Sequence, residues 1–375
     1  MNRLHKVILC CTIAALSICS CGDSDSGPLG PDPMNMEISF ERSELLTTMA
    51  DDIIIPAFEN YSNTLQALTS SKDVFIADPA EATLADLRSA WLDAYLAWQS
   101  VSIFDIGRAE AIGLRNFTNI FPTDVDAIES NISSANYNLE LPSNFDTQGF
   151  PALDYLLFGI SGDDAGIVET LSDPASAQYL SDVVDRLEAL TTEVLNDWNG
   201  GFREAFIENS GSSATASIDK IVNDLIFYYE RFLRAGKIGI PAGLFSNSPI
   251  SANVEAPFSG VYSKQLLLAG FQATRDFFSG RSTNESIDGI GLDDYLDEVA
   301  IVNGTESVAT AIMNQWDIAQ GEIDGLMDNF ATQIEQDNNS MLITFDELQK
   351  AVVLLKVDML QALNIQVDFV DADGD

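Results

Sequence analysis

From about Ser39 onward, apolar residues recur at steps of three and four, the spacing that lines one face of an α-helix. Leu84, Leu87, Trp91, Tyr95, Trp98 and Val101 form one such stripe, with Asp78-Pro79 ahead of it as a start signal. An earlier helix is predicted over 40–70. A third stripe, Leu180, Val183, Val184, Leu187, Leu190, Val194, Leu195 and Trp198, is stopped by Gly200-Gly201. Ile218, Ile221, Val222, Leu225, Ile226, Tyr229 and Phe232 predict a helix that ends before Pro241, and further helices are expected at 259–279, 305–335 and 344–364. No sustained alternation calls for a strand outside the region around 369. Segments 135–149, 160–174, 200–214 and 240–258 are rich in Gly, Ser, Asn and Pro and read as connections. The predicted class is all-α, with helices long enough for bundles.

Length divides this pattern. A single core usually stops growing beyond about 250–300 residues, so a chain of 375 is expected to form two helical-bundle domains. The expected spans are 39–200 and 201–375, with the boundary near Gly200–Ser213 or within 240–258. No repeat of 20–50 residues is visible.

The first residues follow a different rule. Arg3 and Lys6 precede an apolar run over 7–18, which ends in Ile18-Cys19-Ser20-Cys21. That is a secretory leader, too short and wrongly flanked for a membrane span. Its end resembles the bacterial lipoprotein cleavage box, which assigns 1–20 to a signal peptide and makes Cys21 the acylated N-terminus. Residues 21–38, with Gly, Ser, Asp and Pro and no apolar period, read as a flexible tether. A lipid would then anchor the chain without spanning the membrane. Gly22, rather than aspartate, directs the expectation to the outer membrane by analogy with lipoprotein sorting, on its periplasmic or its surface side.

Processing also limits the chemistry. His5 and all four cysteines (Cys10, Cys11, Cys19, Cys21) lie in or at the edge of the leader, so the mature chain would keep no histidine and no free thiol. A Ser-His-Asp triad, a Cys-His dyad, a His-ligated zinc and a structural disulfide are then excluded. Removal of 1–20 leaves 16 basic against 58 acidic residues. Such a balance repels nucleic acid and anionic headgroups and attracts cations or basic partners. The simplest use of so many acids is to solvate the surface, while 46% apolar residues exclude an acidic disordered chain.

Asp288-Gly289-Ile290-Gly291 lacks the spacing and the lysine of a phosphate loop. Ser217-Ile218-Asp219-Lys220 matches Ser-x-x-Lys without its companion motifs. The acids Asp368, Asp371, Asp373 and Asp375 resemble the start of a calcium loop that never reaches its bidentate glutamate. Basic residues in apolar helical context, Arg108, Arg115, Arg231, Arg234 and Lys237, need partners if buried. Structural ion pairing is the plain reading for them, and the lining of a polar pocket is the sharper one. The most specific stretch is Gly149-Phe150-Pro151-Ala152-Leu153-Asp154-Tyr155-Leu156-Leu157-Phe158-Gly159, a loop entering a short helix with Pro151 and Asp154 in its first turn.

This stretch resembles the signature of the imelysin-like family, Gly-x-His-x-x-Glu followed by Tyr-Leu-Leu-Phe-Gly. The resemblance continues through Trp98 to Gly107, Phe121-Pro122-Thr123-Asp124, Lys237-Ile238-Gly239-Ile240-Pro241-Ala242-Gly243, Glu255-Ala256-Pro257-Phe258-Ser259 and the ending Asp371-x-Asp373-Gly374-Asp375. It implies an exported, often lipid-anchored protein of two helical bundles, linked to iron uptake, with a site where the bundles meet. The family was first classed as a metallopeptidase, but Pro151 stands where the motif has histidine and Asp154 where it has glutamate. Hydrolysis needs firm metal ligands and a base to activate water, whereas ferric iron accepts carboxylate and phenolate oxygens. The expectation is a non-enzymatic binding protein for iron or another hard cation, with an iron chelate, a peptide or a haem-like molecule as equal alternatives for the ligand. Asp105, Arg108, Asp154, Tyr155, Lys237, Glu255, Ser259 and Tyr262 are its candidate site residues, and Asp154 and Glu255 the candidate metal ligands. The alternatives are a residual all-oxygen metallopeptidase and an interaction module of an outer-membrane transporter.

Overall fold

The structure, a computed structural model, describes residues 41–282, 287–299, 301–302 and 306–368. The leader, Cys21, the tether, the region around 369 and the acids at 371–375 lie outside the described residues.

Among the described residues the main helices are named α1 to α14 in order, with the 3-10 turns Pro142–Thr147 and Ser251–Asn253 and the π stretch Trp198–Phe202 between them. Helix α1 covers 42–77, running as Arg42–Thr48, a π-helical stretch Met49–Ile54 and Ile55–Ala77. Helix α2 is Glu81–Val101, and Thr83 Oγ1 accepts the Ala80 N–H at its start (3.1 Å). Short helices α3 (Arg108–Ile112), α4 (Leu114–Thr118) and α5 (Val125–Ser134) lead to α6, which is Gly149–Asp154 continued by a π stretch Tyr155–Gly159. Then come α7 (Asp164–Leu171), α8 (Pro174–Asp197) and α9 (Arg203–Glu208). Helix α10 covers 217–242 as Ser217–Phe227, a π stretch Tyr228–Gly239 and Ile240–Ala242. Helices α11 (Ser263–Phe278), α12 (Leu292–Val299), α13 (Val308–Gly325) and α14 complete the order, the last covering 330–363. Strands β1 (Ile301–Val302) and β2 (Glu306–Ser307) pair antiparallel.

The all-α expectation holds, with boundary corrections that have local causes. The span 305–335 is two helices. Leu326 takes an extended backbone after α13, and Asn329 Oδ1 then accepts the Thr332 N–H (2.9 Å) to open α14. The second C-terminal helix therefore begins at Phe330 and is interrupted by non-helical angles at Asp337. The expected connections 160–174 and 200–214 contain α7 and α9; Asp163 caps α7 through the Gly166 N–H (2.8 Å). Helix α10 passes Pro241, since the π stretch has already shifted the hydrogen-bond ladder that a proline would break.

In the first half, α1 packs on α2 and α8; in the second, α14 packs on α13 and on the π stretch of α10. Helix α2 also packs on α11, and the buried apolar residues of both halves belong to one continuous cluster. Trp91, Trp98, Trp198 and Trp316 are its largest members. The α2–α11 contact places the C-terminal end of α2 against the second half of the chain, where the buried polar groups gather.

Candidate functional site

The motif segment is fixed by its glycines. Gly149 has φ +73°, and a Cβ there would collide with the Thr118 carbonyl; a Cβ on Gly159 would collide with the Phe258 ring. Both ends of the segment therefore lie against other parts of the chain. Between them Asp154 is fully buried, and its carboxylate accepts the backbone N–H groups of Phe258 (2.9 Å) and Ser259 (3.0 Å). Asp154 thus reaches across about a hundred residues of sequence to hold the 255–262 loop, in direct contact with it. Burial pushes its carboxyl up to about 6, although these two hydrogen bonds favour the charged form. Tyr155 donates to Glu129 (2.6 Å), and its ring meets Phe258 edge-on at 5.2 Å.

Glu255 is the centre of a larger buried network. Its carboxylate is paired with the Lys237 ammonium and accepts from Asn119 Nδ2 (2.8 Å), Tyr95 Oη (3.0 Å) and Gln99 Nε2 (3.4 Å). Lys237 also donates to Gln99 Oε1 (3.0 Å). Lys237 and Glu255 are 3% and 1% exposed, so neither charge could persist without the other. Burial pushes the Lys237 amine down, with Glu255 holding it up. Four parts of the chain contribute: α2 (Tyr95, Gln99), the end of α4 and the turn after it (Asn119), the π stretch of α10 (Lys237) and the 255–262 loop.

Of the sequence candidates, Asp154, Lys237, Glu255 and Ser259 thus converge on one region, and Tyr155 and Tyr262 flank it. Tyr262 precedes α11 with its ring 5.9 Å from Trp91. Arg108 lies elsewhere: it is half exposed and pairs with Glu193 of α8. Asp105 belongs to a neighbouring cluster with Arg115 (3.5 Å), and its backbone N–H donates to Asp224 (2.6 Å). Burial pushes Asp224 up to about 6, opposed by Arg115 at 3.1 Å. Both proposed metal ligands are committed elsewhere, Asp154 to two amides and Glu255 to a lysine, a phenol and two amides. Among the described residues no group of three or more His, Cys, Asp or Glu could hold a metal ion.

Sequence reasoning missed Tyr95, Gln99, Asn119 and Tyr228. Gln99 carried a readable signal, one turn after Tyr95 on the apolar face of α2, where a polar side chain needs an internal partner. Beside the network lies a cavity of about 120 Å³, lined by Trp98, Gln99, Asn119, Phe121, Phe232 and Lys237, with Arg115, Tyr228 and Arg231 completing its rim. A more acidic recess is lined by Asp105, Glu110, Asp224 and Asp368 together with Arg115 and Lys220.

Comparison with known proteins follows from this architecture. No curated protein matches the chain. Among solved structures, it is similar to a protein described as an iron-regulated protein A precursor from Parabacteroides distasonis, with TM-score 0.67 and 18% identity, covering 84% of this chain and 94% of that one. It is also similar to an imelysin-like protein from Psychrobacter arcticus, with TM-score 0.66 and 18% identity, covering 88% and 97% of the two chains. At that identity the likeness concerns the fold. The family model described as Imelysin matches residues 54–357, which is most of the chain and takes in both the motif segment and the Lys237–Glu255 pair. The chain belongs to the imelysin family.

Proposed function

We propose that this chain is a lipid-anchored cell-envelope protein of the outer membrane that binds an iron chelate without processing it. One observation carries the non-enzymatic part: the acid at the motif position is used up. A general base must reach the proton of its water within about 3 Å. Asp154 is instead fully buried, with its two oxygens occupied by the amides of Phe258 and Ser259. Pro151 supplies neither a ligand nor a base beside it. A metal-activated water would need ligands that this segment lacks.

The binding part rests on the cavity beside Lys237. Its lining has no carboxylate, and of its three cations Arg115 and Lys237 are paired with acids outside the lining while Arg231 makes no ion pair among the described residues. Such a lining disfavours a bare ferric ion and favours an iron chelate carrying negative charge. The link to iron draws on the Parabacteroides relative, which is described as iron-regulated. Anchoring rests on the Cys21 cleavage box.

The mature chain, purified without its acyl group, should show no cleavage of casein above background. Chelator-sensitive cleavage that disappears in Asp154→Ala would restore the peptidase reading. For the anchor, labelled fatty acid should enter the wild-type chain and not Cys21→Ala; equal labelling of both would remove it.

A further inference from the structure

The chain has 18 basic against 58 acidic residues, yet three of the cations line one small cavity that no aspartate or glutamate lines. Their charges are not equally spent. Arg115 donates from Nε to the Ser102 carbonyl (2.8 Å) and is paired with Asp224 and Asp105. Lys237 has three N–H donors but only Gln99 and Glu255 as acceptors among the described residues. Arg231 is exposed and makes no ion pair among the described residues. One uncompensated guanidinium and one spare ammonium N–H therefore border the same space.

Two further donors belong to residues of the lining. Trp98 is 1% exposed and Tyr228 is 2% exposed. Trp98 Nε1 and Tyr228 Oη have no hydrogen-bond partner among the described residues. The Ser102 hydroxyl donates to the Gln99 carbonyl (3.0 Å), keeps its lone pairs free and lies close enough to act on the Tyr228 phenol. A buried donor without an acceptor is rare in folded proteins, and Trp98 Nε1 is such a donor on a residue that lines the cavity. The rest of the lining is aromatic or aliphatic: the rings of Trp98, Phe121 and Phe232, with Ile120 and Ile240. The volume of about 120 Å³ is slightly below the roughly 150 Å³ of an engineered protein cavity that takes up benzene. A single planar ring is the most that this scale admits, with its charged substituent toward Arg231 and Lys237.

We infer that this cavity binds a small aromatic carboxylate, one ring wide, either alone or as the anionic arm of a larger chelate. The inference rests on the reading of the chain as a binding protein, but not on iron. The ring lies among Trp98, Phe121 and Phe232, and the carboxylate accepts from Arg231 and Lys237. The π-helical stretch of α10 makes this possible, because it carries Tyr228, Arg231, Phe232, Gly236 and Lys237 within twelve residues. A Cβ at Gly236 would meet the Arg231 carbonyl at 3.3 Å and the Phe121 ring at 3.9 Å.

Benzoate is the direct probe, titrated into the full mature chain and followed by calorimetry and tryptophan fluorescence. Benzyl alcohol and acetate test the ring and the charge separately. The expected result is saturable one-to-one benzoate binding, with acetate and benzyl alcohol each weaker by about tenfold or more. Arg231→Gln, an exposed position that the fold does not need, should weaken benzoate by about tenfold and leave benzyl alcohol unchanged. Absence of saturable benzoate binding would overturn the inference. So would equal binding of benzoate and acetate, or benzoate binding indifferent to Arg231→Gln. Benzoate binding in a chain that takes up no ferric chelate would support this inference while defeating the iron reading.

Discussion

Lys237 and Glu255 face each other with almost no access to water, and each is the other's charge partner. Removing one partner leaves a buried charge uncompensated, which typically costs about 3–5 kcal/mol, whereas removing both can be nearly neutral. Lys237→Met should therefore lower stability to urea by about that amount, and adding Glu255→Gln should recover most of the loss. A double variant as unstable as the single one would show that the pair is held by packing alone. Asp154 belongs to the same scale but does a different job. Its carboxylate ties down the 255–262 loop from inside, so Asp154→Ala should cost about 1–3 kcal/mol, a range that allows for water reaching the half-buried amides. Hydrogen exchange should quicken at Phe258 and Ser259 in that variant and stay unchanged in α13. Protection that survives the substitution would remove the anchoring role.

Among elements, the helices with long apolar stripes were legible and their junctions were not. The stripe at 84–101 predicts α2 to within a few residues, because the periodicity there is unbroken and Asp78-Pro79 precedes it. The 305–335 stretch misleads because apolar spacing continues through Leu326, Phe330 and Ile334, which are all buried, although the chain leaves the helix between Leu326 and Phe330. Asn329 is the sign that separates the two helices. Asn329→Ala should cost about 1 kcal/mol and fray the start of α14. An unchanged urea midpoint would mean that packing alone fixes that boundary. The site was legible in part for a related reason. Asp154, Lys237 and Glu255 stand in motif-like segments, so their convergence could be expected. Tyr95, Gln99 and Asn119 each sit in ordinary helical or turn context, and only the fold shows that they point at one carboxylate. Arg108 misled by proximity in sequence: seven residues before Arg115, it leaves the junction and pairs with α8 instead.

For the whole molecule, net charge and burial act on stability in the same direction. The chain carries a net charge of −40, and its folded state concentrates that charge. Burial also pushes the carboxyls of Asp154 and Asp224 up to about 6, above the usual aspartate value near 3.9. A carboxyl raised by folding binds its proton more tightly in the native state. Its stabilising contribution is complete below the unfolded pKa and is lost as pH rises through the folded one. The melting temperature should therefore rise by at least about 3 °C between pH 8 and pH 5. Replacing Asp224 with Asn should flatten part of that rise. A melting temperature that falls over this interval would contradict the assignment of both buried acids.

The central claim concerns what the molecule binds in the cavity between α2, the turn at 119–121 and the π stretch of α10. The most direct measurement is iron content after the mature chain is incubated with ferric salicylate, a chelate whose arm is an aromatic carboxylate, and passed through a desalting column. The account predicts stoichiometric retention of iron with salicylate, reduced about tenfold or more in Arg231→Gln and unaffected in Arg108→Gln, whose side chain pairs with Glu193 and does not line the cavity. Retention equal in all three proteins, or no retention in any, would contradict it.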